Sequence, residues 1–149
     1  MDDYPSLAEL RHGPLDVEGF CARLAGPADG ALARFEGRVR NQHQGRPTQY
    51  LQYEAYEALA LRQMRELILA GRRQWPIHGV GLLHRLGRVE IGEAAVVVAV
   101  AAAHRAEALA ACGWLIDQLK SEAAIWKKEV FSTGTVWHNA IPAQTAVEA

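Results

Sequence analysis

The chain changes its hydrophobic period several times, and each change marks an element. Asp16 precedes Val17, Phe20 and Leu24, the pattern of a short capped helix, and Gly26-Pro27 then stops it. From Ala31 to Arg40, small or apolar residues (Ala31, Ala33, Phe35, Gly37, Val39) alternate with Leu32, Arg34, Glu36, Arg38 and Arg40. That two-residue repeat predicts a half-buried strand with one charged face. Asn41 to Pro47 reads as a polar loop turning at Gly45 and Pro47, and Thr48 to Tyr53 as the returning strand, so the two strands are expected to form a hairpin with a long tip.

Helical spacing follows. Leu61, Met64, Leu67 and Ile68 recur on one face between Ala58 and Arg73, predicting an amphipathic helix that closes near Gly71. Val80 to Leu86 reads as a strand, Gly87 to Gly92 as a turn-rich connection, and Ala94 to Ala101 as a central strand. The apolar run from Ala94 to Ala103 is half the length a bilayer span needs and is rich in Val, which favours a strand buried on both faces. Ala108, Ala111, Cys112, Leu115, Ile116 and Leu119 then form a stripe on a helix expected from His104 to Lys120. Ile125 to Trp137 is expected to form short strands around a Thr133-Gly134 turn, ahead of a flexible tail over about 138–149. Strands linked by hairpins, with helices interspersed, predict an α+β fold: a mainly antiparallel sheet with amphipathic helices packed on it, in a single domain.

Composition narrows the function classes. At 149 residues, half of them apolar, the chain is long enough to bury one core without disulfide or metal staples. A formal charge of −1 advertises neither nucleic acid nor membrane as a partner, so any electrostatic function must be local. Met1 to Leu10 is acidic and mixed, unlike a secretory signal, and a cytoplasmic setting is expected. Cys21 and Cys112 stand far apart without a CxxC or His-paired spacing, so they are expected to be buried small hydrophobes, and no metal site or cofactor is expected. The sequence holds no GxGxxG, no GxxxxGK[ST] and no HExxH, and His43, His78 and His84 are scattered as loop, turn or strand residues.

Three basic groups could carry chemistry. His104 and Arg105 fall where a buried strand ends and a helix begins, and a helix N-terminus with an Arg fork and an imidazole favours an anion, phosphate being the natural one. Their bland alternative is capping and solvation. Lys120 and Lys127, with Lys128 beside the second, form an ammonium cluster in which one member should lose its proton more easily and serve as base or nucleophile, while another clamps an anion. Their alternative is wet surface and stabilisation of a helix C-terminus. Arg40 leads a strand into a polar loop, and Phe35 lies on the same strand at opposite parity, as core or as a pocket wall.

The order of these pieces is distinctive. FEGRVRNQHQG, then LQYEAY, then HRLGRVEIGEAAVVVAVAAAHRAEALAAC, then IDQLKSEAAIWKKE and a later Trp, resembles the large, catalytic subunit of molybdopterin synthase over about Asp29 to Trp137. The resemblance implies an α/β-hammerhead type of fold and a sulfurtransferase. It also implies a small ubiquitin-like partner whose C-terminal Gly-Gly carries a thiocarboxylate, and a substrate, cyclic pyranopterin monophosphate, that receives sulfur to form the molybdopterin dithiolene. It further implies Lys120 and Lys127 as catalytic lysines, Arg40, His104 and Arg105 as contacts to substrate anions, and Phe35 as pocket lining; beyond the match, a homodimer within a heterotetramer is expected. Ala124 stands where relatives commonly have Pro, and Ile141 or its neighbours where some have a basic residue. A helix running unbroken from His104 to Lys120 would separate them by roughly 24 Å at ~1.5 Å per residue, so one small pterin would reach both only at a site shared between two subunits. Two other readings use the same residues: a non-catalytic module binding a phosphorylated pterin or a ubiquitin-like protein, and a Schiff-base lysine enzyme.

Overall fold

The longest strand organises the molecule. The computed structural model describes residues 4–139, and within it β5 (Ile77–Glu90) borders two different neighbours along one of its sides. Its first part pairs in parallel with β1 (Ser6–His12), Ser6 opposite Val80 and His12 opposite Leu86. Its last part pairs antiparallel with β4 (Arg46–Ala55), Tyr53 opposite Gly87 and Tyr50 opposite Glu90. Gly87, at φ +85°, stands where the neighbour changes, in a backbone region that L side chains rarely adopt.

On its other side β5 pairs with β6 (Ala94–Ala102), which pairs in turn with β2 (Ala31–Arg38). Beyond β4 come β7 (Ile125–Phe131) and β8 (Gly134–Asn139), giving the order β2-β6-β5-β4-β7-β8. A two-residue strand, β3 (Gln42–His43), folds back on β4. The expected α+β class and mainly antiparallel sheet hold, with β1 as a parallel addition.

The apolar run of β6 is explained by what covers it. Val96, Val98 and Val100 belong to the main core with Ala60, Met64 and Ile68 of α2 (Glu57–Gln74) and Ala108, Ala111, Leu115 and Leu119 of α3 (Arg105–Glu122). Val97 and Ala99 point the other way, against Phe20 and Cys21 of α1 (Val17–Ala22) and Leu24 beyond it. A strand clothed on both faces needs no polar alternation. Gly81 allows α1 its close approach, because a Cβ there would lie 2.6 Å from the Phe20 ring. Asp16 caps α1, its side chain accepting from the Gly19 N–H, and both cysteines are free and buried.

Several expectations need correction. β2 does not form a hairpin with β4; its partner is β6, Ala33 opposite Val100 and Phe35 opposite Val98. Period alone tells which face of a strand is buried, not which strand lies beside it. α2 runs on to Gln74 with Gly71 buried inside it, and the Trp75 N–H closes the last turn on the Gly71 carbonyl. Residues 87–90, read as connection, continue β5, so the turn is confined to Ile91, Gly92 and Glu93. β1 was not anticipated, since its Glu9 and Arg11 dilute the apolar signal. His138 and Asn139, assigned to the tail, extend β8 opposite Lys127 and Trp126, while 140–149 and with them Ile141 lie outside the described residues.

Candidate functional site

Strand register builds one wall of a cleft. Alternation along β7 sends Lys127 and Glu129 to one face and Trp126, Lys128 and Val130 to the other. Lys127 stands between Tyr53 of β4 and His138 of β8, directly opposite both, and Glu129 stands opposite Leu51. Lys128 faces away, its ammonium 5.3 Å from the centre of the Trp137 ring.

The helix end and a clamped loop bring the other cations. α3 ends with Lys120 in its last turn, and the chain enters β7 through Ala123 and Ala124. Ala124 is buried; its N–H donates to Gln63 Oε1 at 2.7 Å, and its carbonyl accepts from the Tyr56 N–H at 3.1 Å. The turn between the lysines is therefore held by α2, with no proline required.

Arg40 is set by the end of β2. There the Val39 N–H donates to the Glu93 carbonyl (3.1 Å), the Gly92 N–H donates to the Val39 carbonyl (2.9 Å), and Arg38 donates to the Gly92 carbonyl (2.6 Å). The Thr48 N–H donates to the Asn41 carbonyl just beyond (2.9 Å). A polar loop is thus pinned on both sides of Arg40.

Two adjoining cavities result, of about 180 Å³ and 160 Å³, and both are lined by Tyr53, Val96, Lys120 and Lys127. The first adds His84, Ile116 and His138; the second adds Arg40, His43 and Glu129. Lys127 loses its proton more readily than an ordinary lysine, first through burial and then through the charge of Lys120, with Arg40 adding to the effect and Glu129 opposing it. The expectation that one member of the lysine cluster titrates low therefore falls on Lys127. Tyr53 is pushed up to about 12 by burial and by Glu129. His84, buried, drops to about 4 through burial and the Lys120 charge, although its hydrogen bond to the Arg85 carbonyl opposes the shift.

Of the residues predicted from sequence, Arg40, Lys120 and Lys127 come together. His104 and Arg105 do not join them within the chain. They lie exposed at the opposite end of α3, with His104 as the N-cap residue but making no side-chain capping bond. Phe35 is 36% exposed on β2 and stays outside the cavity lining, although its ring lies over Gly37, which lines the second cavity. Tyr53, His84, Glu129 and His138 escaped sequence reasoning. Only the alternation of β7, which places Glu129 with Lys127, carried any local signal for them.

Basic side chains gathered over a half-buried lysine, on an α+β scaffold, make a cleft whose electrostatics favour anions. The comparisons agree on one family. A family model described as MoaE protein matches residues 10–122, and the chain belongs to that family. The molybdopterin synthase catalytic subunit of Arabidopsis thaliana is 41% identical over 83% of this chain, which spans 62% of that relative's length. The subunit of the same name from Nostoc sp. is 42% identical over 85% of this chain and 77% of its own. A crystal structure of molybdopterin synthase from Staphylococcus aureus is similar at a TM-score of 0.84 and 29% identity, covering 93% of this chain and 98% of that one.

Proposed function

We propose that this protein is the catalytic subunit of a molybdopterin synthase, moving sulfur from the thiocarboxylated C-terminus of a small ubiquitin-like carrier to cyclic pyranopterin monophosphate. The observation that carries the reading is the convergence of Arg40, Lys120 and Lys127 on one cleft, with Lys127 held below the usual lysine range. Both reactants are anions, and they repel each other in water. Fixed cations in a partly enclosed site offset that repulsion and do not have to reorganise as the reaction proceeds.

Each transfer breaks the carrier's acyl–sulfur bond and forms a carbon–sulfur bond on the pterin in place of a carbon–oxygen bond, whose oxygen departs as water or remains on the phosphate, while water adds to the acyl carbon and the carrier ends as a carboxylate. Arg40 and Lys120 hold the negative groups, and Lys127, the amine most easily deprotonated, moves the proton or attacks the acyl carbon. His104, Arg105 and Phe35 contribute from a second copy of the chain, binding the phosphate and walling the pocket. The assembly is a homodimer carrying two carriers, in the cytoplasm.

Incubation with thiocarboxylated carrier and cyclic pyranopterin monophosphate, followed by mass analysis, should yield a pterin bearing two sulfur atoms. Lys127→Ala and Lys120→Ala should each slow product formation by about a hundredfold or more while carrier binding persists. Wild-type turnover in both variants would remove the catalytic assignment, and carrier binding by the unsubstituted protein without any product would leave a binding module.

A further inference from the structure

Two buried polar atoms beside Lys127 have no hydrogen-bond partner: Oε1 of Glu129 and Nε2 of His138. They lie 3.3 Å apart, but at an angle that makes the contact electrostatic rather than a hydrogen bond. The Glu129 side chain is only 5% exposed, and its other oxygen accepts from the Thr48 hydroxyl at 2.7 Å. Water therefore has little access to the free oxygen, and buried carboxylates are seldom left with one.

His43 stands against the same two atoms. Its ring meets that of His138 edge-on with centroids 5.6 Å apart, and one ligand atom from each of His43, Glu129 and His138 falls within 4.8 Å of the others. The three come from β3, β7 and β8, so no spacing in the sequence suggests the cluster.

We propose that His43, Glu129 and His138 form a binding site for a divalent transition metal of the Zn²⁺ type. Two imidazoles and a carboxylate are a donor set such ions accept, at about 2.0–2.2 Å from each ligand atom, which places neighbouring ligand atoms roughly 3.3–3.5 Å apart around a tetrahedral ion. The Glu129–His138 pair already has that separation, and His43 closes the remainder by side-chain rotation. The free oxygen and the free imidazole nitrogen are the atoms a cation would use, and Thr48 steadies the carboxylate from behind, as outer partners of metal ligands do.

The backbone under His43 is braced. His43 pairs with Arg46, whose guanidinium lies 3.9 Å over the Phe131 ring and donates to the Thr133 hydroxyl at 3.0 Å. Three protein ligands leave a coordination position open. Glu129 and His43 line the cavity that holds Arg40 and Lys127, so this position borders the basic cleft. Those cations oppose a further positive charge and select for ions that bind imidazole strongly, against Mg²⁺ and Ca²⁺, which prefer oxygen. The site stands on its own residues, whether or not the cleft transfers sulfur.

The test is direct metal binding by the full chain, freed of metal by chelation and titrated with Zn²⁺ against a chromophoric competitor. The expected result is one ion per chain, a raised melting temperature, and visible d–d bands when Co²⁺ replaces Zn²⁺. His43→Ala and His138→Ala should each weaken Zn²⁺ binding about tenfold or more and abolish the melting shift, while Mg²⁺ leaves all three proteins unchanged. Melting without metal shows that each variant is folded, and using both variants keeps the test alive if one is not. His12→Ala, at the exposed His12–Glu57 pair, should bind as the unsubstituted chain does. Unchanged Zn²⁺ affinity in folded His43→Ala and His138→Ala, an equal loss in His12→Ala, or no binding by the unsubstituted chain would overturn the assignment.

Discussion

His84 shows how the site is tied to stability. It is 7% exposed, its ring meets Tyr53 edge-on at 4.7 Å, and its Nδ1–H donates to the Arg85 carbonyl at 2.8 Å. Burial, seconded by Lys120, lowers its pKa to about 4 from the 6.5 of a free imidazole. Between those values the unfolded chain binds a proton that the folded chain refuses. Its contribution is thus complete above pH 6.5, shrinks as pH falls, and is lost once pH passes about 4. At 1.36 kcal/mol per unit, the full effect is on the order of 3 kcal/mol. Urea unfolding at pH 7.5 and 4.5 should show a drop in midpoint that is clearly smaller in His84→Leu. An identical drop in the two proteins would mean that other groups carry the acid sensitivity.

At the scale of elements, the contact between α2 and the start of β7 is the most exposed to a single change. Gln63 is the side-chain acceptor for the Ala124 N–H, a donor only 1% exposed, so Gln63→Ala should cost about 1–3 kcal/mol through the unpaired amide. Denaturant melts would read the loss, and a change below ~0.5 kcal/mol would show that water replaces the amide. The example also marks what the sequence could and could not disclose. β6, α2 and α3 were legible because their apolar positions repeat at a clear period and are buried as that period demands. β1 was not, because its place beside β5 depends on a parallel pairing far along the chain, and Glu9 and Arg11 interrupt its pattern. In the site, Arg40 and Lys120 could be singled out as cations at element ends and Lys127 as a member of a lysine cluster, and all three match the family resemblance. Tyr53 and His138 could not, because they meet Lys127 only through the register of three strands.

For the molecule as a whole, the charge divides between the cleft and a site apart from it. The chain is nearly neutral, yet Arg40, Lys120 and Lys127 are concentrated at one end of α3 while His104 and Arg105 are exposed at the other. α3 is continuous over 18 residues, about 27 Å at ~1.5 Å each, and cannot bend a small substrate's two contacts together. β2 ends the strand order, with exposed Leu32 and Phe35 along it, and Leu109 is exposed on α3, which packs against β2. Exposed apolar side chains on an edge strand and its neighbouring helix suit an isologous contact between two copies, which would carry one copy's His104 and Arg105 towards the other's lysines. His104→Ala and Lys120→Ala chains should each be nearly inactive alone. If two copies share each site, unfolding and refolding the variants together in equal amounts would make half the dimers mixed, each with one undamaged site, and activity should return to about a quarter of wild type. Recovery no greater than that of either variant alone, with mixed dimers verified by differential tagging, would confine each site to a single chain and leave His104 and Arg105 without a part in it.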